Sequence, residues 1–240
     1  MTVRHYAFGN VGRDKNDKKS SHRLDLDALT ALHDRVGDEK ACVILSEINE
    51  GDDNNEMQLT RQLFPGWRLY GSKTREPILL SPDQPKARAR VVWVPDTAVP
   101  RWSPQRSVLI LHLADENTTI VTSHPAAGAN GQGERPASAR GPLQNSWDLT
   151  IAKRNHIKRN LHRRGRNVVE MLDSNAYDLR TLPLMNGEKV VAHDSTDWGR
   201  VWAAEGYKAA FRGGKSVPFN VDSHDGLIMH GTFKKVPTKS

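Results

Sequence analysis

Asn167-Val-Val-Glu-Met-Leu-Asp-Ser-Asn175 sets an apolar, partly β-branched run directly against two polar residues spaced two apart. The run predicts a strand over Asn167 to Leu172. In extended backbone, residues i and i+2 point the same way, so Asp173 and Asn175 present a carboxylate and an amide together to one ligand. An acceptor paired with a donor suits a phosphate and its attacking water. The same arrangement recurs outward from this stretch. Ala41-Cys-Val-Ile-Leu45 is a continuous apolar run that predicts a strand buried on both faces, and Ser46-Glu47 follows it. Val121-Thr-Ser precedes His124, and Tyr6-Ala-Phe-Gly precedes Asn10. Between two of these strands, Leu24, Ala28, Leu29, Leu32 and Val36 recur at helical spacing and Gly37 stands where such a helix stops. Strand, helix and strand alternate, which is the pattern of an α/β fold.

Turn signals and apolar runs place a second helix over Asn54 to Phe64. Further strands fall at Trp67 to Tyr70, Pro77 to Leu80, Ala89 to Val94, Ser107 to Leu113, Thr118 to Ser123, Trp198 to Ala203 and Leu227 to Phe233. That many strands implies two sheets or one large one. Residues 125–142 are dense in Gly, Ala and Pro without periodicity and predict a mobile loop, an excursion within a single domain spanning 1–240. A basic helix follows from about Ser146 to Arg163. Trp93, Trp102, Trp147 and Trp198 are assigned mainly to the core.

Composition bounds the function. Lys+Arg 35 against Asp+Glu 28 gives a net charge of +7, and 37% apolar with 26% charged residues excludes a disordered or fibrous chain. No apolar run approaches the roughly 18 residues needed to span a bilayer, so no membrane partner is expected. Arg4 and His5 stand where a secretory leader would need apolar residues, so a cytoplasmic protein, and a monomer, is expected. The single Cys42 excludes an intramolecular disulfide. The densest positive run is Lys153-Arg-Asn-His-Ile-Lys-Arg-Asn-Leu-His-Arg-Arg-Gly-Arg166. With the net charge, it predicts that Arg154, Lys158, Arg159, Arg163 and Arg164 contact a nucleic-acid backbone. Gly214-Lys215-Ser216 does not complete a phosphate-cradling P-loop, because Ala209 occupies the place of its first Gly and Pro218 follows where a helix should open.

Six segments carry a family likeness by their order: Phe8-Gly-Asn10-Val, Ile44-Leu-Ser-Glu47, Val121-Thr-Ser-His124, Leu172-Asp173-Ser-Asn175, Thr196-Asp197-Trp198 and Asp222-Ser-His224. Together they resemble the successive motifs of the endonuclease/exonuclease/phosphatase superfamily, almost end to end. The resemblance implies a four-layer α/β sandwich, two mixed β-sheets packed face to face with helices outside. It also implies hydrolysis of phosphate esters dependent on Mg²⁺ or Mn²⁺. By position, Glu47 resembles the metal carboxylate, with Asn10 beside it. Asp173 resembles the residue that orients the nucleophilic water, with Asn175 on the phosphate. His224 resembles the terminal histidine on the phosphate, with Asp197 as its partner carboxylate. Glu76 resembles the acid that pairs with the first histidine, here His124. The chain departs from the family at Leu172, where Gly is usual, and in Asp222-Ser-His224, where Ser-Asp-His is usual, so Asp222 completes the metal site, or Asp225 substitutes for it, or one ligand is missing. A metal-dependent nuclease acting on DNA or RNA is the resulting expectation. A phosphatase for a small or lipid phosphate, and a degenerate nucleic-acid-binding protein, are its alternatives.

Overall fold

A computed structural model describes residues 4–11, 25–37, 40–48, 55–84, 86–114, 117–127, 129, 136–176, 180–214, 216–218 and 225–237. Two six-stranded mixed sheets form among them. The first runs, in spatial order, β11 (Tyr207–Gly213), β12 (Leu227–Lys235), β1 (Arg4–Asn10), β2 (Ala41–Ser46), β4 (Ile78–Leu80) and β3 (Arg68–Tyr70). The second runs β5 (Ala87–Trp93), β6 (Ser107–Leu113), β7 (Thr118–Ser123), β8 (Asn167–Asp173), β10 (Asp197–Trp202) and β9 (Glu188–Asp194). In each sheet one pair is parallel, β1 with β2 and β7 with β8. A parallel pair needs a crossover, and here helices supply it: α1 (Leu26–Val36) joins β1 to β2, and α3 (Ala137–Arg163) joins β7 to β8. A further helix, α2 (Asn55–Leu63), follows β2.

Alternation along the strands builds the layers. Tyr6, Phe8, Cys42 and Ile44 of the first sheet meet Leu109, Leu111, Ile120, Val169 and Met171 of the second in a common core. Their neighbours Ala7, Val43 and Leu45 face the other way, onto Leu29 and Leu32 of α1 and Met57 of α2. Val108, Ile110 and Val168 face α3 through Leu161. Helices, sheet, sheet and helix therefore stack in four layers, as expected. The continuous apolar runs of β1, β2 and β8 follow from burial on both faces.

Four features differ from the sequence expectation. Strands β9 and β11 were not foreseen; both are edge strands with half-buried, mixed side chains, which carry little period-two signal. Helix α3 starts at Ala137 and takes in Gly141 and Pro142, so the C-terminal part of 125–142 is helical rather than loop. Tertiary burial overrides local propensity there, because Ala139 and Leu143 pack against Val99 and Ala126. Residues 128 and 130–135 lie outside the described residues. Trp93 and Trp102 are 42% and 41% exposed, whereas Trp147 and Trp198 are core residues as expected.

The fourth difference concerns the basic helix. Arg154 and Lys158 are 1% and 0% exposed, which removes both from any phosphate-contacting face. Arg154 Nε lies 3.1 Å from Glu170 Oε1, and Lys158 Nζ is 2.6 Å from Glu170 Oε2 and pairs also with Glu188. Burial raises the Glu170 carboxyl, but Arg154, Lys158 and Arg200 together outweigh it and hold the group below the ordinary Glu value. These ions clamp α3 onto β8 and β9. Removing one partner of a buried pair strands the other charge, at a cost of about 3–5 kcal/mol. Lys158→Met is therefore expected to lower unfolding stability by that amount in urea titration, whereas Arg159→Gln, on the exposed face, changes it by less than about 0.5 kcal/mol. Equal effects would show that the buried ions do not hold the helix.

Candidate active site

In an α/β sheet the groups at the carboxyl ends of parallel strands are released from the ladder and converge on ligands. Both parallel pairs deliver such groups here. β1 ends at Asn10, β2 at Ser46 with Glu47 next, β7 at Ser123 with His124 next, and β8 at Asp173. Face-to-face packing brings the two sets together. Asn10 Nδ2 of the first sheet donates to Asp173 Oδ2 of the second at 3.2 Å.

Asp173 is 2% exposed, and its other oxygen is also held. Oδ1 accepts from the Asn175 backbone N–H and from Thr196 Oγ1, each at 2.9 Å. The Asn175 side chain donates to the Pro125 carbonyl at 3.0 Å and so ties the turn after β8 to the segment after His124. Two buried indoles brace the same turn: Trp147 Nε1 donates to Ser174 O at 2.7 Å, and Trp198 Nε1 to Ala176 O at 2.9 Å. Asp197 is fully buried at the start of β10 and stands in register opposite Asp173. Residues opposed across an antiparallel ladder share a face, so these two carboxylates lie on the same side of the sheet.

His124, 2% exposed, is the hub. Its Nε2 lies 3.4 Å from Asp173 Oδ2 and 3.7 Å from Glu47 Oε1, and its Nδ1 lies 3.9 Å from Glu76 Oε1. Burial pushes the imidazole down to about 4, against the pull of Asp173 and Glu47 and with the help of Arg106 and Arg75. Glu47 itself sits at φ 65°, the left-handed region that a non-glycine residue enters only at an energetic cost. The turn this produces after β2 places its half-exposed carboxylate beside His124.

Two cations went unread in the sequence. Arg106 is 5% exposed just before β6, its Nε donates to Ser103 Oγ at 3.0 Å, and burial lowers its guanidinium to about 10 while Glu76, Glu47 and Asp173 support its charge. Arg75 adds a second positive charge near both Arg106 and His124. Neither belongs to a motif at strand-end spacing; only the three-dimensional closure of the loop before β6 and the turn before β4 brings them in. Thr196 was legible as part of a motif, but its hydrogen bond to Asp173 was not.

Several buried polar atoms at this edge make no hydrogen bond among the described residues: both ring nitrogens of His124, Nη1 of Arg106, and the hydroxyls of Ser46 and Ser123. A buried unsatisfied group costs about 1–3 kcal/mol, so their concentration in one place marks a position for a polar ligand. The carboxylates of Glu47, Glu76 and Asp173 are hard oxygen donors around the same point, the donor class that Mg²⁺ and Mn²⁺ take. No ready-made group of three His, Cys, Asp or Glu metal ligands is present among the described residues. Asp222 and His224 lie outside the described residues. The Asp225 carboxylate accepts from Ser216, and its backbone N–H donates to Asp194.

The fold is that of the endonuclease/exonuclease/phosphatase superfamily, the deoxyribonuclease I-like α/β sandwich. An endonuclease/exonuclease/phosphatase family protein from Bacteroides thetaiotaomicron superposes with a TM-score of 0.64 at 10% identity, covering 97% of this chain and 98% of its own. TDP2 from D. rerio, in complex with a single-stranded DNA product, gives 0.58 at 12% identity and covers 98% and 100%. The human Nocturnin catalytic domain, with a bound sulfate anion, gives 0.59 at 9% identity and covers 97% and 94%. No protein-family model and no curated sequence matches the chain.

A hydrogen bond to an ionised group contributes about 1.5–3 kcal/mol. Thr196→Val, which keeps shape and removes the donor to Asp173, is expected to lower stability within that range in denaturant titration and to raise the acid limb of any pH-rate profile. Unchanged stability would show that Thr196 Oγ1 does not serve the carboxylate.

Proposed function

We propose that this protein is a divalent-metal-dependent phosphodiesterase, a nuclease that hydrolyses nucleic-acid backbones. The convergence of Glu47, Glu76 and Asp173 on His124, with Arg106 Nη1 left without a partner beside them, carries this reading. Such a site offers acceptors for a water and donors for an anion around one point. The single-stranded DNA product in the D. rerio TDP2 structure and the sulfate in human Nocturnin support a phosphate-bearing ligand for a protein of this fold.

The chain's own groups divide the work. Asp173 Oδ1 is fixed by Asn175 and Thr196, which leaves Oδ2 to orient a water and accept its proton as the water oxygen attacks phosphorus. Arg106, with Arg75 nearby, supplies positive charge where the phosphate gains negative charge. Asn10 keeps Asp173 Oδ2 directed across the seam between the sheets. Glu76 orients the His124 ring, which lies against Asp173 and Glu47. The P–O bond to the departing nucleoside oxygen breaks, that oxygen is protonated, and water is added overall. Glu47 and Asn10, with Asp222 or Asp225, are the residues proposed to hold Mg²⁺ or Mn²⁺; bound there, the ion would neutralise charge on a phosphate oxygen. Asp197 is proposed to orient His224 on the phosphate.

A screen of double-stranded and single-stranded DNA, RNA, a chromogenic phosphodiester and soluble phosphomonoesters, with and without Mg²⁺, tests the reading. Cleavage of a nucleic acid that EDTA abolishes is expected. Asp173→Asn should lower it by roughly 10² to 10⁴-fold with the fold retained, the range a positioned acid or base contributes. Glu47→Gln should remove most divalent-metal binding and reduce turnover by orders of magnitude with the fold intact. Turnover of phosphomonoesters alone would move the substrate to a small phosphate, and a folded protein that binds nucleic acid and turns over nothing would make it a binding protein.

A further inference from the structure

A groove of about 590 Å³ lies away from the site, between β5, β6 and the second half of α3. Arg88 and Arg90 enter it from β5, Lys153 and Arg164 from α3, and Arg166 closes one end. Residues i and i+2 of a strand share a face, so Arg88 and Arg90 stand side by side. Among the described residues, no Asp or Glu lines the groove.

Charged residues on an edge strand often only block edge-to-edge association, and basic helices often only face water. Three observations separate this groove from both cases. First, five permanent cations from three parts of the chain converge on one concave surface, where they repel each other; Arg166 and Arg90 add to burial in lowering the His112 imidazole at its floor. Second, Arg166 is rigid but not neutralised. It donates to Thr119 Oγ1, Asn117 Oδ1 and the carbonyls of Leu113 and Thr118, all uncharged acceptors. Third, one face of α3 turns Arg154 and Lys158 inward onto Glu170 and Glu188, while the face toward the groove presents Lys153 and Arg164 with no carboxylate among the described lining residues. Arg154 and Lys158 are neutralised where they are buried, whereas this set faces no carboxylate among the described residues.

The groove is not an extension of the catalytic cleft. Arg166 immediately precedes β8, and Asp173 ends it, so the two lie about 20 Å apart at ~3.3 Å per residue. The apolar floor, Val92, Ile110 and Ile157, offers contact area to sugars and bases.

We propose that this groove is a second nucleic-acid site, which holds the phosphate backbone of a single strand at a distance from the scissile bond. The inference rests on the nuclease reading above. A row of unneutralised cations along an open groove fits a repeating polyanion better than one phosphate group.

The test is fluorescence anisotropy with a labelled single-stranded DNA of about 20 nucleotides, in EDTA, over a salt series. Each lost phosphate contact on a single strand reduces the slope of log affinity against log salt by about 0.7. Arg88→Gln with Arg90→Gln, and separately Lys153→Gln with Arg164→Gln, should each flatten the slope by about 1.4 and weaken binding at least tenfold at 50 mM salt. Lys208→Gln with Lys234→Gln, exposed on the first sheet outside the groove lining, should do neither. The groove variants should hydrolyse the small chromogenic phosphodiester as the unaltered protein does. If the unaltered protein binds the strand and the groove variants keep its slope, the groove proposal is overturned and the nuclease reading stands. If they lose affinity for ATP or pyrophosphate and not for the strand, the proposal is likewise overturned. Loss of strand binding in a protein that cleaves no nucleic acid would support the groove and remove the nuclease reading.

Discussion

The hydrogen bond from Asn10 Nδ2 to Asp173 Oδ2 joins the two sheets at the point where each ends its parallel pair. Asn10 belongs to one half of the sandwich and Asp173 to the other, so neither half contains the site alone. The bond requires the sheets to face each other with β1 over β8, and the shared core of Phe8, Ile44, Val169 and Met171 enforces that register. Interiors pack at crystal-like density, so a one-residue slip in either sheet would invert every core contact as well as this bond. The geometry of the site is thus a consequence of the core.

Charge is distributed by the same logic. Asp173 is buried yet stabilised by backbone, hydroxyl and amide donors, the environment in which a carboxylate stays ionised out of water. Glu170, three residues earlier on β8, points to the opposite side and is stabilised instead by Arg154 and Lys158. The odd and even positions of one strand therefore do different work. One faces the candidate site, and the other anchors the helix whose Trp147 in turn braces the turn that follows Asp173. Through that route α3 supports the candidate site.

What the sequence made legible were features with short-range signatures. Apolar runs ending in Asn10, Glu47, His124 and Asp173 marked the buried strands and their carboxyl ends, because strands buried on both faces are unbroken in apolar residues and change character where the ladder stops. Strands β9 and β11 had no such signature, since an edge strand is half exposed on both faces. The start of α3 was hidden by Gly141 and Pro142, whose local preferences Ala139 and Leu143 override by burial. Arg106 and Arg75 were illegible because they reach the site through loops, and no spacing rule connects residue 106 to residues 47, 76 and 173.

The run from Lys153 to Arg166 shows why charge density in a sequence is a poor guide to which charges meet solvent. Helical periodicity sorts these residues into faces: Arg154 and Lys158, four apart, share the face against β8. Arg159 and Arg163, also four apart, share an exposed face. Lys153 and Arg164 fall beside neither and line the groove with Arg88 and Arg90, which lie more than sixty residues away in sequence. A count of positive residues treats all of these alike. Burial fixes the first pair in place, solvent screens the second, and the third is held in a concave surface with no carboxylate among the described lining residues, where the field of each cation adds to the next.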